Sequence, residues 1–317
     1  MASIPKRIIT RQEAMTLSGL AYMPTRPRTG ITRHLADPSL ATRGEWSVAW
    51  GPAERLGNLA FVAHHPERNV FAVVIRGTRP LPGGTFLLNL YENLRVGEMV
   101  PWAPSTVPGA AVARGTNRGI RNLLALASKQ VTLEAFVRDR VAPSGATLVV
   151  TGHSLGGCLA TVLAPWLRHR FGAALEIECV TFAAPTAGNA AFGEYFRSLF
   201  PRAERYVNTI DFVPMAWEAL ADIGTLFPAP GRPCTPLIRA SLKKITKLLA
   251  ETGVSYAQPS PATMLPGTPR NRFFEIEAFM QHHPDAYLEL LGAPVLPFDL
   301  FGIPFKGIDA KLPARLG

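Results

Sequence analysis

The stretch Ala146-Thr-Leu-Val-Val-Thr-Gly-His-Ser-Leu-Gly-Gly-Cys-Leu-Ala160 carries the most information about the fold of this 317-residue chain. Its first half is β-branched and apolar, as in a buried strand, and its second half places apolar residues at helical spacing. Between them lies Gly-x-Ser-x-Gly, centred on Ser154. A strand, this tight turn and a helix together are typical of a nucleophile elbow, in which backbone strain presents the serine hydroxyl to a base and a substrate. The sequence therefore predicts Ser154 as a nucleophile. The alternative is a plain strand–helix turn with an incidental serine.

A nucleophilic serine needs a histidine base, and only His169, His282 and His283 follow Ser154 in the chain. His169 lies along the helix that begins at the elbow, roughly 22 Å away at 1.5 Å per residue, which excludes it. Pro284 suits the first position of a helix over 284–291 and makes His283 its expected N-cap. We therefore expect His282, on the preceding loop, to be the base, with His283 as the alternative.

The base needs an orienting carboxylate, and Asp211 is the candidate. The run from Arg205 to Ile210 is rich in β-forming residues, and Pro214 stops the strand just beyond Asp211. Open α/β sheets place functional groups at the carboxyl ends of their strands. The alternative for Asp211 is an exposed residue that caps the next turn.

An oxyanion hole requires two N–H donors aimed at the oxygen that becomes negative. The backbone N–H of Leu155, directly after the nucleophile, is one candidate. The other is Thr78, because a buried strand from Asn69 runs into Arg76-Gly-Thr78. We expect the Thr78 hydroxyl to support the same oxygen.

These motifs together resemble the class 3 (fungal-lipase-like) family of the α/β-hydrolases. The matching pieces follow the family's order over about residues 10–292 and read Val73-Val-Ile-Arg-Gly-Thr78, Thr151-Gly-His-Ser-Leu-Gly-Gly157, Thr181-Phe-Ala-Ala-Pro-Thr-Ala-Gly-Asn189, Val207-Asn-Thr-Ile-Asp-Phe-Val-Pro214 and His282-His-Pro-Asp-Ala-Tyr-Leu288. The resemblance implies Ser154 as nucleophile, Asp211 as acid, a histidine of the pair as base, and Thr78 with Leu155 as the oxyanion hole. The family's spacing to Tyr287 favours His282. Thr186 departs from the pattern, since relatives usually carry arginine there.

Alternating strand-like and helix-like segments predict an α/β-hydrolase fold in one domain over residues 1–317, with a central, mostly parallel sheet flanked by helices. Helices are expected over Arg11–Tyr22 and largely over Gly119–Val141. The expected strands are Trp46–Trp50, Leu59–His64, Val70–Arg76, Ile177–Phe182 and Tyr206–Ile210. Two further segments, 80–111 and 215–270, are expected to form a lid and a cap insertion over an apolar acyl-binding groove. The alternative is that they only fill the edges of the fold.

The composition argues against several classes of site and location. The three cysteines cannot all pair and show no metal-ligand spacing, so we expect no structural disulfides. A serine nucleophile with a histidine base needs neither a metal nor an organic cofactor, and we expect none. The N-terminal stretch has no apolar core of a secretory signal, and no run approaches the ~18 apolar residues of a membrane span. Cysteine usage then favours a reducing, cytoplasmic location. Nothing in the sequence indicates an oligomeric state.

The net charge of +10 is concentrated locally. Arg232–Arg272 holds seven Lys and Arg against one acid, and Arg239–Ala250 within it has the pattern of a basic amphipathic helix. One interpretation is peripheral contact with an anionic lipid interface. The other is an ordinary surface helix whose apolar face packs on the core. We expect no nucleic-acid binding, since no recognition motif accompanies the charge.

The sequence thus predicts a serine carboxylic-ester hydrolase of lipase or esterase type, acting on acylglycerols or other acyl esters through an acyl-enzyme. An acyltransferase with the same residues is one alternative. The other is a catalytically silent hydrolase fold that binds lipid surfaces.

Overall fold

The computed structural model describes residues 8–23, 27–78, 95–227 and 234–300. Its centre is a seven-stranded sheet with the strand order β1-β2-β3-β8-β9-β10-β11. The first three strands are antiparallel, and from β3 onward each neighbouring pair is parallel. The sheet strands are β1 (Ser47–Arg55), β2 (Asn58–His65), β3 (Val70–Ile75), β8 (Thr147–His153), β9 (Glu176–Phe182), β10 (Glu204–Asn208) and β11 (Thr263–Leu265). This is the predicted α/β-hydrolase architecture.

Four short strands form two small hairpins outside the main sheet, β4 (Met99–Pro101) with β5 (Ala111–Ala113) and β6 (Ala127–Ser128) with β7 (Val131–Thr132). The helices are α1 (Arg11–Leu20), α2 (Pro27–Leu35), α3 (Arg114–Leu124), α4 (Leu133–Phe136), α5 (Leu155–Phe171), α6 (Ala190–Leu199), α7 (Pro236–Thr252), α8 (Phe274–His282) and α9 (Pro284–Leu290). A π-helical turn, Val137–Val141, and 3₁₀ turns such as Val213–Met215 and Leu220–Thr225 complete the described elements.

The sheet is buried on both faces, because alternate residues of each central strand point to opposite sides. In β3, Val73 and Ile75 join a cluster on the face covered by α3, α5 and α6, whereas Ala72 and Val74 join a cluster on the face covered by α1, α2 and α9. Continuous apolar strands are typical of parallel sheets covered on both sides. The result is a three-layer arrangement in which the β8–α5 connection lies at the carboxyl edge of the sheet.

The expected long helix over Gly119–Val141 is wrong. Helix α3 ends at Leu124, and the chain then forms the β6–β7 hairpin before α4 begins. Lys129 and Gln130 both adopt positive φ angles, 48° and 68°, which a continuous helix excludes. Thr132 caps the next helix by accepting the N–H of Ala135. Apolar residues recur at helical spacing through this region, but the turn at Lys129 and Gln130 and the cap at Thr132 divide it into two helices.

A third apolar cluster lies beside the carboxyl edge of the sheet. It combines Ile210 and Phe212 with the buried face of α7, formed by Ile238, Leu242, Ile245 and Leu249. The apolar face of the basic helix therefore packs on the protein itself, which favours the second of the two interpretations for that face. Within the described ranges, no helix is both long and apolar enough to cross a membrane.

Candidate active site

Ser154 lies at the sharp turn between β8 and α5. Its backbone angles are φ 60° and ψ −132°, an arrangement that a residue with a Cβ rarely adopts. Its N–H donates to the carbonyl of Phe182, and its carbonyl accepts from Cys158 in the first turn of α5. These two hydrogen bonds tie the strained turn to the end of β9 and to the first turn of α5. Ser154 is buried, with only 1% of its surface exposed.

Two glycines make this turn sterically feasible. A Cβ on Gly156 would lie 2.1 Å from the carbonyl oxygen of Ile75, and a Cβ on Gly152 would lie 2.4 Å from the carbonyl carbon of Gly156. Both distances are far below van der Waals contact. The glycines are therefore required by the close approach of α5 to the end of β3 as well as by the turn itself.

The structure brings Ser154, His282 and Asp211 into one hydrogen-bonded chain. Nε2 of His282 lies 2.8 Å from Oγ of Ser154, and Nδ1 of the same ring lies 2.8 Å from Oδ2 of Asp211. All three residues are buried, with 1%, 7% and 1% of their surface exposed. The imidazole thus has one nitrogen on a hydroxyl and the other on a carboxylate, the order that proton transfer from a serine requires.

Asp211 is held by two further donors. Its Oδ1 accepts the backbone N–H of Val213 at 2.9 Å, and its Oδ2 accepts the hydroxyl of Tyr287 at 2.7 Å. The Tyr287 hydroxyl in turn accepts the backbone N–H of Asn208 at 3.1 Å. Burial is the main reason that the pKa of Tyr287 lies well above its usual value, and the Asp211 carboxylate adds to the shift. Tyr287 therefore remains a hydrogen-bond donor to the acid.

His282 does not lie on a loop, contrary to expectation; it is the last residue of α8. His283 adopts an extended conformation and caps α9, because its Nδ1 accepts the N–H of Asp285 at 3.2 Å. The cap role expected of His283 is therefore present. The expectation that His282 lies on a loop is therefore wrong, because Pro284 defines where α9 begins and constrains His283 but does not end α8 before His282. The role of His282 as the base stays a prediction.

His153 and Tyr22 form a layer behind the base. The His153 ring lies 4.8 Å from that of His282, and its Nδ1 is 3.1 Å from the Tyr22 hydroxyl. Burial, followed by the charges of His282 and His283, holds the pKa of His153 well below its usual range. A neutral ring therefore packs against His282. Sequence reasoning missed the contact of His153 with Tyr22, which lies 131 residues away in the chain.

The two expected oxyanion donors lie in segments next to Ser154. Leu155 is the first residue of α5, where backbone N–H groups have no partner within the helix and the helix dipole is positive. Thr78 is half-buried and follows Gly77, on which an added Cβ would lie 3.0 Å from Cβ of Ser154. The 76–78 segment thus passes directly beside the serine. Residues 80–94 of the lid-like segment 80–111 lie outside the described residues.

Two other expectations concern His169 and Thr186, which lie outside the hydrogen-bonded set of Ser154, His282 and Asp211. His169 is exposed near the end of α5, as its exclusion required. Thr186, which stands where relatives usually carry arginine, is buried and donates its hydroxyl to the carbonyl of Ala216 at 3.0 Å. A hydrogen bond therefore joins Thr186 to the segment after Asp211.

One group of side chains in the described part of the chain has metal-ligand spacing. Potential ligand atoms of Glu13, Glu45 and His65 lie within 4.8 Å of one another. The Glu13 carboxylate is paired with Arg68 and also accepts the indole N–H of Trp46. An arginine at this carboxylate opposes a metal ion, so the group functions as an ion-pair cluster beneath α1.

Comparison with known proteins identifies related sequences. Residues 72–219 match the family described as Lipase (class 3). The chain is 37% identical over 92 residues to Lipase ZK262.3 of Caenorhabditis elegans, covering 28% of this chain and 26% of that protein. It is 35% identical over 77 residues to phospholipase A1-Igamma2, chloroplastic, of Arabidopsis thaliana, covering 22% of this chain and 15% of that protein. The chain thus matches about a quarter or less of the length of these curated relatives.

The fold has a counterpart that extends over nearly the whole chain. The crystal structure of M37 lipase superposes with a TM-score of 0.79 at 25% sequence identity, covering 90% of this chain and 93% of that one. The similarity therefore extends well beyond the segment that the family comparison matches.

Proposed function

We propose that this chain, whose residues 72–219 match the class 3 lipase family, is a serine carboxylic-ester hydrolase of lipase or esterase type. The observation that carries the proposal is the pair of 2.8 Å contacts from the two nitrogens of His282 to Ser154 and Asp211. A strained, buried serine with a base and a carboxylate aligned behind it is the arrangement of nucleophilic acyl transfer. Tyr287 and Val213 keep the carboxylate in place behind the base.

In the proposed reaction, Nε2 of His282 takes the Ser154 proton as Oγ attacks the ester carbonyl carbon. The imidazolium is stabilised by Asp211. The tetrahedral oxyanion is bound by the N–H groups of Leu155 and Thr78. Collapse of this intermediate breaks the ester bond, and His282 returns the proton to the departing alcohol. Water, deprotonated by the same histidine, then attacks the acyl-enzyme. Collapse of the second tetrahedral intermediate breaks the bond between the acyl carbon and Oγ, His282 returns the proton to Oγ of Ser154, and the acid is released.

The substrates we propose are acylglycerols or other esters of medium-to-long acyl chains. The apolar cluster beside the site supports this, because Phe212 and Ala216 belong to it and Leu155 packs against it. Apolar walls around a few polar groups are typical of small-molecule sites. The phospholipase A1 name of one relative adds phospholipids to this class. Rates over a series of nitrophenyl esters from acetate to palmitate test the assignment, and a steep preference for acetate would refute an extended acyl groove.

Wild type and Ser154→Ala compared on nitrophenyl esters test the activity itself. The proposal expects hydrolysis by wild type and loss of at least about 10³-fold in Ser154→Ala, because the three residues act as a unit. Equal rates would instead favour a silent hydrolase fold that binds lipid. Product analysis with an added alcohol separates a hydrolase from an acyltransferase, since transfer gives a new ester rather than free acid.

We further propose that the outer face of α7 contacts an anionic lipid surface by charge. Arg239, Lys243, Lys244 and Lys247 are exposed on that face, opposite the buried apolar residues of the same helix. Among the described residues, only Lys247 of these four has a salt-bridge partner, Glu251 at 3.7 Å. Each basic residue near such a surface contributes about 1 kcal/mol.

Vesicle co-sedimentation tests this contact. Lys243→Glu with Lys244→Glu should weaken binding to phosphatidylglycerol vesicles, leave binding to phosphatidylcholine vesicles unchanged and preserve hydrolysis of soluble acetate esters. Arg118→Glu with Arg121→Glu on α3 is the matched control, since both arginines are exposed and the net charge changes equally. Equal loss in both double variants would contradict a specific surface and indicate an effect of net charge alone.

A further inference from the structure

The side chain of Asn208 joins the segments that carry the acid and the base. Asn208 is the last residue of β10, three positions before Asp211. Its Nδ2 donates to the backbone carbonyl of Gln281 at 3.0 Å and to the side-chain Oε1 of Gln281 at 2.7 Å. Gln281 immediately precedes His282 on α8. One amide group therefore connects the two segments directly, across 73 residues of sequence.

The bond to the Gln281 carbonyl satisfies a group that the helix leaves unpaired. Carbonyls in the last turn of a helix have no N–H partner further along it. The N–H four residues after Gln281 belongs to Asp285, and it donates to Nδ1 of His283 instead. Asn208 thus caps the end of α8 at the position that fixes the backbone of His282.

Asn208 is itself fixed on the acid side. Its Oδ1 accepts the N–H of Ile210 at 3.2 Å, and its backbone N–H donates to the hydroxyl that holds Asp211, that of Tyr287. The residue is completely buried. Gly267 leaves it the necessary space, because a Cβ there would lie 2.1 Å from Oδ1 of Asn208. Nδ2 and Oδ1 of Asn208 therefore both have hydrogen-bond partners, and these partners determine the orientation of the side-chain amide.

Behind Gln281, the buried carboxylate of Glu277 anchors α8 to the segment after β11. Glu277 accepts Nε2 of Gln281 at 2.6 Å and the backbone N–H groups of Arg270 and Asn271. Nε2 of Gln281 also donates to the carbonyl of Thr268 at 2.9 Å. A buried carboxylate with several N–H donors forms strong charge-assisted hydrogen bonds. Glu277 therefore restricts Gln281 from the side opposite Asn208.

We propose that Asn208, supported by Gln281 and Glu277, is a positioning residue that holds the base at hydrogen-bonding distance from both acid and nucleophile. The proposal rests on the proposed function, since it concerns how His282 is aligned for that chemistry. Asn208 acts through Gln281 and the backbone, so its loss should lower kcat and leave KM nearly unchanged. Misplacement of a reacting group by about 1 Å costs up to about 10²-fold in rate.

The test is a double-mutant cycle with Asn208→Ala, Gln281→Ala and the double variant, assayed on a soluble nitrophenyl ester alongside thermal unfolding. Each single variant should lose about 10- to 100-fold in kcat, and the double variant should lose no more than the worse single variant, because the two residues act through one contact. Thr161→Val is the matched control, since it removes one buried hydrogen bond within α5, 3.0 Å from Thr161 to the Gly157 carbonyl. The proposal would be overturned if Asn208→Ala lost no more kcat than a control variant with the same fall in Tm. It would also be overturned if the losses of the two single variants multiplied in the double variant.

Two additions keep the test decisive. If Gln281→Ala does not fold, Gln281→Met replaces it, because this variant keeps the side-chain volume while losing the acceptor for Asn208 and the donor to Glu277 and Thr268. Proton NMR of the His282 Nδ1–H in wild type and Asn208→Ala needs no turnover. The proposal expects the deshielded resonance to shift or broaden in the variant, and an unchanged resonance contradicts it. If wild type hydrolyses no ester, the proposed function fails while the NMR comparison still decides the positioning role.

Discussion

Tyr287 donates its hydroxyl hydrogen to Oδ2 of Asp211 at 2.7 Å, so a single carboxylate oxygen accepts both this hydroxyl and Nδ1 of His282. Helix α9 thereby contacts Asp211, while α8, directly before it, carries His282. The short break between the two helices at His283 is what allows both contacts.

Tyr287→Phe should lower kcat about tenfold and destabilise the protein by about 1–3 kcal/mol. The variant removes one donor from Asp211 and leaves the buried N–H of Asn208 without its acceptor. Ester kinetics and denaturant unfolding measure the two effects. Tyr195→Phe is the control, because no hydrogen bond of the Tyr195 hydroxyl occurs among the described residues. Equal kcat in the two variants would show that Tyr287 does not support the acid.

Replacing each histidine of the pair separately tests the assignment of the base. His282→Ala should lose on the order of 10³-fold or more in kcat, since among the described residues no other base lies within hydrogen-bonding distance of the Ser154 hydroxyl. His283→Ala should retain most activity and lose about 1 kcal/mol of stability, the usual cost of a lost N-cap. Steady-state kinetics and unfolding of both variants are the measurements. The reverse order of activities would transfer the role of base to His283.

The stability of the protein should fall as pH is lowered through the titration range of the buried histidines. Burial and the charge on His282 lower the pKa of His283 to about 3, while Asp285 at 3.7 Å does not compensate. The unfolded chain binds this proton near pH 6.5, so below that pH the unfolded state holds more protons and is favoured. Each such histidine contributes a slope of at most about 1.4 kcal/mol per pH unit down to its folded pKa.

His283→Asn isolates this contribution, because asparagine keeps an N-cap acceptor but does not titrate. Unfolding free energies between about pH 7 and about pH 4 should decline less steeply in this variant than in wild type. His169→Asn, at an exposed position, should leave the wild-type slope unchanged. Identical slopes in all three proteins would mean that His283 binds its proton equally in both states.

Gly156→Ala should disrupt the elbow. The added Cβ would lie 2.1 Å from the carbonyl oxygen of Ile75, which belongs to a central strand and cannot move without breaking sheet bonds. We expect a loss of about 3 kcal/mol or more, at the upper end of overpacking effects. Gly224→Ala is the matched control, since nothing lies within 4 Å of its added Cβ. Thermal unfolding compares them, and similar Tm values would contradict the close packing of α5 on β3.

Local patterns were sufficient to predict most of the sheet. The strand before Ser154 and the strand after Asn69 are continuous apolar runs with clear ends, and both were predicted to within one or two residues. The region after Gly119 could not be predicted in this way. Its apolar spacing suits one helix, whereas the turn at Lys129 and Gln130 depends on backbone conformations that neither residue type favours.

The contacts around His282 could not be predicted from the sequence for a different reason. Asp211 and His282 were found because their residue types carry recognisable chemistry, and those roles remain predictions that the variants above test. The pairing of Asn208 with Gln281 has no local signal, since it joins residues 73 positions apart through side chains common on any surface. Tyr22 likewise reaches His153 only because α1 packs across the end of β8.

Labelling with a fluorophosphonate tests the central claim most directly, because the reagent reacts with a serine only when a base and an oxyanion hole activate it. Mass spectrometry of the intact protein and of its peptides should show stoichiometric modification of wild type at Ser154, with esterase activity lost in proportion. His282→Ala should react far more slowly, and Ser154→Ala should not react at all. An unlabelled wild-type protein, or label on another residue while Ser154→Ala still hydrolyses esters, would contradict the account.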